Sequence, residues 1–247
     1  MRQACVIAIV ALAVGCNSPT TPTPRPSQPN VAPFRVLMLT ATAGFRHDSI
    51  ATAREVMNTL AGPNGFSVTM TEDLGSISAD QLANVDVIMF ALTSGELAFT
   101  PTQRSALIAA VNGGKGFVGI HSATDTLYEF PDYGRLVGAY FKEHPWTQQA
   151  RVIPEDPLHP ATGLIRDAFT LEEEFYTFRD NPRGRVQVLL RLDPASVNTT
   201  GDYPLAWAQS FGSGRSYYNA LGHFPATWRD ARFRGQLVAA IRWTANK

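Results

Sequence analysis

Between residues 34 and 120 short apolar runs alternate with helix-like segments, and this alternation restricts the fold more than any other feature of the chain. Residues 34–40 (FRVLMLT) are almost continuously apolar, as expected of a strand buried on both faces of a parallel sheet. A polar loop over 41–48 leads into a helical pattern from Ser49 to about Leu60, which Gly62-Pro63-Asn64-Gly65 breaks. Residues 66–71 alternate as a second strand, and 85–90 (VDVIMF) supply a third. Thr100-Pro101-Thr102-Gln103 then opens a helix with a capping residue, a proline at the first helical position and the glutamine of a capping box. That helix ends at Asn112-Gly113-Gly114, and 116–120 (GFVGI) form the fourth strand. The order predicts an α/β fold, a doubly wound and mostly parallel sheet with helices on both faces. Further strand signals lie near 150–153, 169–176, 186–192, 205–209 and 215–220, and 230–246 read as a closing helix.

The N-terminus has a different character. Arg2 precedes an apolar run from Ala4 to Val14, too short to span a bilayer but of the size of a signal-peptide core. Ala13-Val14-Gly15-Cys16 resembles a lipobox, so residues 1–15 are expected to be a lipoprotein signal peptide and Cys16 the site of lipidation. Residues 16–33 carry prolines at 19, 22, 24, 26, 29 and 33 among Ser and Thr, the composition of an extended tether. The catalytic or binding domain is then 34–247. The expected location is the cell envelope, lipid-anchored in the membrane at the periplasmic face or surface of the outer membrane. Cys5 and Cys16 are the chain's two cysteines, so the domain has no disulfide, thiolate ligand or cysteine nucleophile. Formal net charge is zero with Lys and Arg thinly spread, which excludes a nucleic-acid footprint.

In open α/β sheets ligands bind beyond the carboxyl ends of the strands. His47 follows the first strand; Thr93, Ser94 and Glu96 the third; His121, Ser122 and Asp125 the fourth; His223 the last. Gly119-Ile120-His121-Ser122 has the outline of a nucleophile elbow with histidine at its tip, although the closing glycine is missing. Arg46 and His47 would suit a polar or anionic group at a helix start; alternatively Asp48 or Ser49 caps the helix and His47 is merely solvated. In a strand Glu172 and Glu174 share a face and Glu173 turns away, either as acid–base machinery beside Tyr176 or as a solvated edge. His121, His223 and Glu174 offer a nitrogen-and-oxygen set for a zinc-like divalent ion, without the tight ligand spacing of a known motif. His144 and His159 precede prolines and read as structural or rim residues. Trp146, Tyr203, Trp207 and Trp228 are either sugar-stacking faces or core.

Several segments resemble the ThuA (trehalose utilisation) family: 39–48 (LTATAGFRHD), 114–125 (GKGFVGIHSATD), 136–141 (LVGAYF), 173–178 (EEFYTF), 203–207 (YPLAW) and 214–223 (GRSYYNALGH). The family usually has Asp where this chain has Glu173. The resemblance implies a flavodoxin-like fold of the class I glutamine amidotransferase type, with His121 where amidotransferases carry cysteine. It also implies a role in disaccharide and keto-sugar metabolism. The expectation is an enzyme acting on a small carbohydrate substrate: a disaccharide, glycoside or keto-sugar. His121 and Glu174 would share acid–base work, His223 would polarise or ligate, and Arg46, His47, Asp125 and Tyr176 would hold the substrate. The alternative is a non-catalytic sugar-binding surface lipoprotein on the same scaffold.

Overall fold

The computed structural model describes residues 33–247 together with Met1. The readings of signal peptide, Cys16 and tether fall on residues outside the described ones. Among the described residues no helix is long and apolar enough to cross a membrane.

The first half follows the expected alternation. β1 (Phe34–Leu39), α1 (Ser49–Ala61), β2 (Phe66–Thr71), α2 (Ala79–Ala83), β3 (Val87–Ala91), α3 (Pro101–Asn112) and β4 (Gly116–Ile120) succeed one another. Every residue of β3 and β4 is buried, which is why they read as continuous apolar runs. At α3 both halves of the capping box form: Gln103 N donates to Thr100 Oγ1 and Thr100 N donates to Gln103 Oε1. The second half contains α4 (Pro131–Val137), β5 (Phe141–Pro154), β6 (Phe169–Phe178), β7 (Gln187–Leu192), β8 (Pro204–Phe211), β9 (Gly214–Asn219), α5 (Pro225–Arg229) and α6 (Ala231–Thr244). Asp230 starts α6 by accepting from Arg232 N.

One sheet holds all nine strands in the order β2-β1-β3-β4-β9-β8-β7-β5-β6. β2, β1, β3, β4 and β9 are parallel neighbours, and each later pairing is antiparallel. Seven strands therefore point one way and β5 and β8 the other. α1, α5 and α6 pack together on one side, while α2, α3 and α4 form a second group.

β5 is where the expected boundaries fail most. The sequence signalled 150–153, but the strand begins at Phe141 and pairs with β6 through two register shifts before Trp146. Residues 142–149 are exposed apart from half-buried Trp146 and are interrupted by Pro145, so no alternation is written into them. β7 joins β5 at residues 152–154, leaving residues 141–149 paired with β6 as a two-stranded ribbon at the end of the sheet. α2, α4 and α5 carry too few residues for a helical period to register, and none was anticipated.

The aromatic centre of the core is Phe90, with ring centroids 5.5 Å from Phe117, 5.6 Å from Tyr133 and 6.2 Å from Phe99. Phe90→Ala should cost about 3–5 kcal/mol, the range for emptying a large buried aromatic site. Urea unfolding read by tryptophan fluorescence checks this, and a loss under 1 kcal/mol would mean the core is not packed as described.

Candidate metal centre

Four side chains from four separate segments converge beyond the strand ends. His47 ends the loop after β1, His121 follows β4, Glu174 lies in β6 and His223 follows β9. His121 is held in the left-handed region, with φ of +53°, a conformation that histidine tolerates better than most residues. Its carbonyl accepts from Tyr218 Oη at 2.7 Å, which pins the elbow. Its Nδ1 lies 2.7 Å from the Ala220 carbonyl; a carbonyl only accepts, so Nδ1 carries the proton and Nε2 keeps its lone pair.

That lone pair faces the other members of the cluster. His121 Nε2 is 3.1 Å from His47 Nε2, 3.3 Å from His223 Nδ1 and 3.4 Å from Glu174 Oε2. Glu174 Oε2 is in turn 3.1 Å from His223 Nδ1. All four ligand atoms lie within 4.8 Å of one another. Bonds of about 2.0–2.1 Å from zinc put the edges of a tetrahedron at about 3.3–3.4 Å, so four of the separations match what a small divalent ion requires. Tyr176 Oη completes the ring around His121 Nε2 at 3.0 Å.

The residues that hold these ligands were less visible in the sequence. Glu173 has no solvent exposure, and its carboxylate accepts from Gly222 N at 2.8 Å, His223 N at 3.0 Å and Thr227 Oγ1 at 2.7 Å. Strand alternation correctly turns it away from Glu174, but the face it reaches is the buried loop that carries His223, not solvent. The solvated-edge alternative fails for both residues, since Glu174 is only 8% exposed. Gly222 has φ of +126°, and a Cβ there would lie 3.1 Å from Ile120 Cγ2; glycine is what lets the loop approach β4. His144, set aside as structural or rim, is a rim residue that touches the site: its Nδ1 is 3.3 Å from Glu174 Oε1.

Other expected site residues lie apart from the cluster. Arg46 lines a hollow of about 550 Å³ with His47, Asp48, Arg54 and Glu72. Its guanidinium is engaged at 2.8 and 3.0 Å by Glu72, and no hydrogen bond among the described residues joins it to the cluster. Asp125 accepts from Tyr128 Oη at 2.6 Å instead of from a ligand histidine. Asp48 makes no side-chain cap; Ser49 Oγ donates to the Gly222 carbonyl, tying α1 to the His223 loop. Trp207 and Trp228 are fully buried, with Nε1 donating to the Val137 and Gly222 carbonyls, so they are core residues. A separate hollow of about 590 Å³ beside α4 contains none of the four ligand residues.

The model of the family described as trehalose utilisation, ThuA, matches residues 35–244. The chain belongs to the ThuA family. This ties it to carbohydrate metabolism. No curated protein matches it in sequence. Among solved structures it is similar to a ThuA-like protein from Bacteroides uniformis, with 24% identity, TM-score 0.74 and coverage of 89% of this chain and 95% of that one. A ThuA-like protein from Parabacteroides merdae gives 17% identity and TM-score 0.70, covering 86% and 90%. A β-galactosidase from Bacillus circulans shares the fold at 14% identity and TM-score 0.57, covering 86% of this chain but 31% of that one.

The electrostatics of this ThuA site follow from crowding. Burial, together with His121 and His223 nearby, pushes the His47 imidazole down to about 3. Burial opposes the charge on Glu174, but the adjoining His121 and His223 imidazoles outweigh it and hold the carboxyl well below its usual range. Burial likewise lowers His223, and the adjoining Glu174 carboxylate more than reverses this, leaving it raised. A neutral His47 beside an ionised Glu174 is the state in which both can donate electron pairs to a cation.

Glu173→Ala would strand two backbone N–H groups and the Thr227 hydroxyl, and should destabilise the chain by on the order of 3 kcal/mol. Denaturant titration measures this; an unchanged midpoint would mean that Glu173 does not hold the loop. The sign for His47 is that of a depressed base: its contribution is present above pH 6.5 and is lost as pH falls from 6.5 toward about 3, because the unfolded chain takes up the proton first. His223 contributes oppositely, with stability lost as pH rises through its raised value. With chelator present, the thermal midpoint of His47→Gln should therefore fall less steeply than wild type on acidification from pH 6.5 to 4. Parallel curves would refute the assignment.

Proposed function

We propose that this ThuA protein is an enzyme of carbohydrate catabolism, acting on a disaccharide, glycoside or keto-sugar by metal-assisted acid–base chemistry. We further propose that it works outside the cytoplasm, lipid-anchored through Cys16 in the cell envelope. The observation that carries the catalytic reading is the set of 3.1–3.4 Å separations among His47, His121, Glu174 and His223. Crowding four such groups into a largely buried site carries a cost that a bound ion would remove. Bound there, a zinc-like divalent ion would supply Lewis acidity toward a carbonyl or hydroxyl oxygen of the sugar.

The protein's own groups divide the remaining work. His121 has no solvent exposure, which suits a ligand better than a base that must touch substrate. Glu174 turns Oε2 toward His121 and His223 and Oε1 toward His144, so one carboxylate serves both the cluster and the rim. His144, with half its side chain exposed, is the imidazole able to reach a bound sugar and take a proton from carbon or oxygen next to a keto group. Tyr176, whose hydroxyl burial keeps protonated, stands 3.0 Å from His121 Nε2 and supports its ring at 4.3 Å between centroids.

The test uses the full chain with trehalose, other glucosides and their 3-keto derivatives, with and without zinc, manganese or chelator, and products followed by mass spectrometry. Turnover should vanish with chelator and return with metal. Glu174→Ala should lose stoichiometric metal, and His144→Gln should lower kcat by about 100-fold with metal content unchanged. Sugar binding without turnover under every metal condition would overturn the enzymatic reading in favour of a sugar-binding protein.

A further inference from the structure

Two phenylalanines flank the cluster, and neither is explained by the core. Phe45 is 64% exposed, one of the few large apolar side chains that the described residues leave in solvent. Its ring stands perpendicular to that of His47, at 4.8 Å and 81°. Phe224, half-buried, stands at 4.6 Å and 84° to His223. The two imidazoles are themselves 5.2 Å apart, so phenyl, imidazole, imidazole and phenyl form one continuous series of ring contacts.

The exposure of Phe45 is imposed by a rigid backbone. Ala43 N and Gly44 N both donate to the Ser94 carbonyl, at 2.8 and 3.3 Å. Ser94 Oγ donates to the Phe45 carbonyl at 2.6 Å. Gly95, with φ of +73°, allows the two loops to touch: a Cβ there would lie 2.5 Å from Gly44 N. Phe224 is fixed on its side by Pro225 and by Thr227 N donating to its carbonyl at 3.1 Å. An apolar ring that is held out in water forgoes stabilisation it would gain by burial, and a rigid mount removes the entropic cost of presenting it to a ligand.

We propose that Phe45 and Phe224 form a stacking clamp for a pyranose ring, and so determine that the substrate of the proposed reaction is a closed-ring sugar. This rests on the functional reading above. A pyranose carries C–H groups on its faces and hydroxyls on its rim; the C–H face packs on the negative face of a phenyl ring, and the hydroxyl rim turns to the imidazoles and Glu174. An open-chain polyol has the hydroxyls without the apolar face and gains nothing from the clamp.

The experiment is calorimetric titration of the full chain, and of Phe45→Ala, Phe224→Ala and Phe45→Trp, with 3-ketotrehalose, methyl α-glucoside and the open-chain polyol sorbitol. Cobalt-loaded samples report the geometry of the cluster through their visible spectrum. Each alanine variant should bind the pyranoses roughly tenfold more weakly, with the cobalt spectrum and thermal midpoint unchanged. Phe45→Trp should restore or exceed wild-type affinity, and sorbitol should bind no variant measurably. Wild-type affinity in both alanine variants, or sorbitol binding as tightly as the pyranoses, would overturn the clamp while leaving the function standing. Weakened binding with an altered cobalt spectrum would also overturn it, since the phenyl rings would then act by packing the histidines. If wild type binds none of the sugars, the carbohydrate reading itself fails and the clamp with it.

Discussion

The curl of the β5–β6 ribbon back over the parallel strands is the constraint on which the site depends. Five strand spacings separate β4 from β6 in the sheet order, which in a flat sheet would be roughly 24 Å. Yet Glu174 Oε2 on β6 lies 3.4 Å from His121 Nε2 at the end of β4. Strand twist and the register shifts between Phe141 and Trp146 supply the bend. Because β6 runs in the same direction as the parallel strands, the bend delivers Glu174 and Tyr176 to the edge where His47, His121 and His223 emerge.

Closing the ribbon would put a carboxylate among imidazoles away from water, and the fold manages that with two glutamates of different function. Glu173 satisfies the backbone of the His223 loop; Glu174, one residue on, faces the histidines. Their division follows from the alternation of a strand whose two faces are both covered. Tyr218 Oη on the His121 carbonyl, Ser49 Oγ and Trp228 Nε1 on the Gly222 carbonyl, and Glu173 on the Gly222 N–H leave the ligands little freedom. A centre braced in this way is pre-organised, so a ligand need not pay to assemble it.

What the sequence alone determined is local or periodic. The buried runs of β1, β3 and β4, the capping box of Thr100 and Gln103, and the helix over 231–244 are each written in consecutive residues, because backbone hydrogen bonding and burial act at short range there. The strand-end rule also located His47, His121 and His223 without any knowledge of their contacts, since every parallel strand delivers its following residue to the same edge. Glu174 was legible as a candidate through its spacing from Tyr176 and through the family resemblance.

The tertiary structure alone decided which candidates meet. Arg46 follows the strand-end rule as well as His47 does, yet Glu72 captures it, because an exposed guanidinium takes the nearest carboxylate. His47, expected to hold substrate, lies in the cluster with His121, Glu174 and His223, and Glu173, read only as turning away from Glu174, braces the His223 loop. The polar stretch 142–149 pairs as a strand and carries His144 to the rim, but its pairing depends on β6 more than twenty residues away, and its exposed faces leave no period in the sequence. Contacts between segments far apart in the chain have no local signature, and the site is made almost entirely of such contacts.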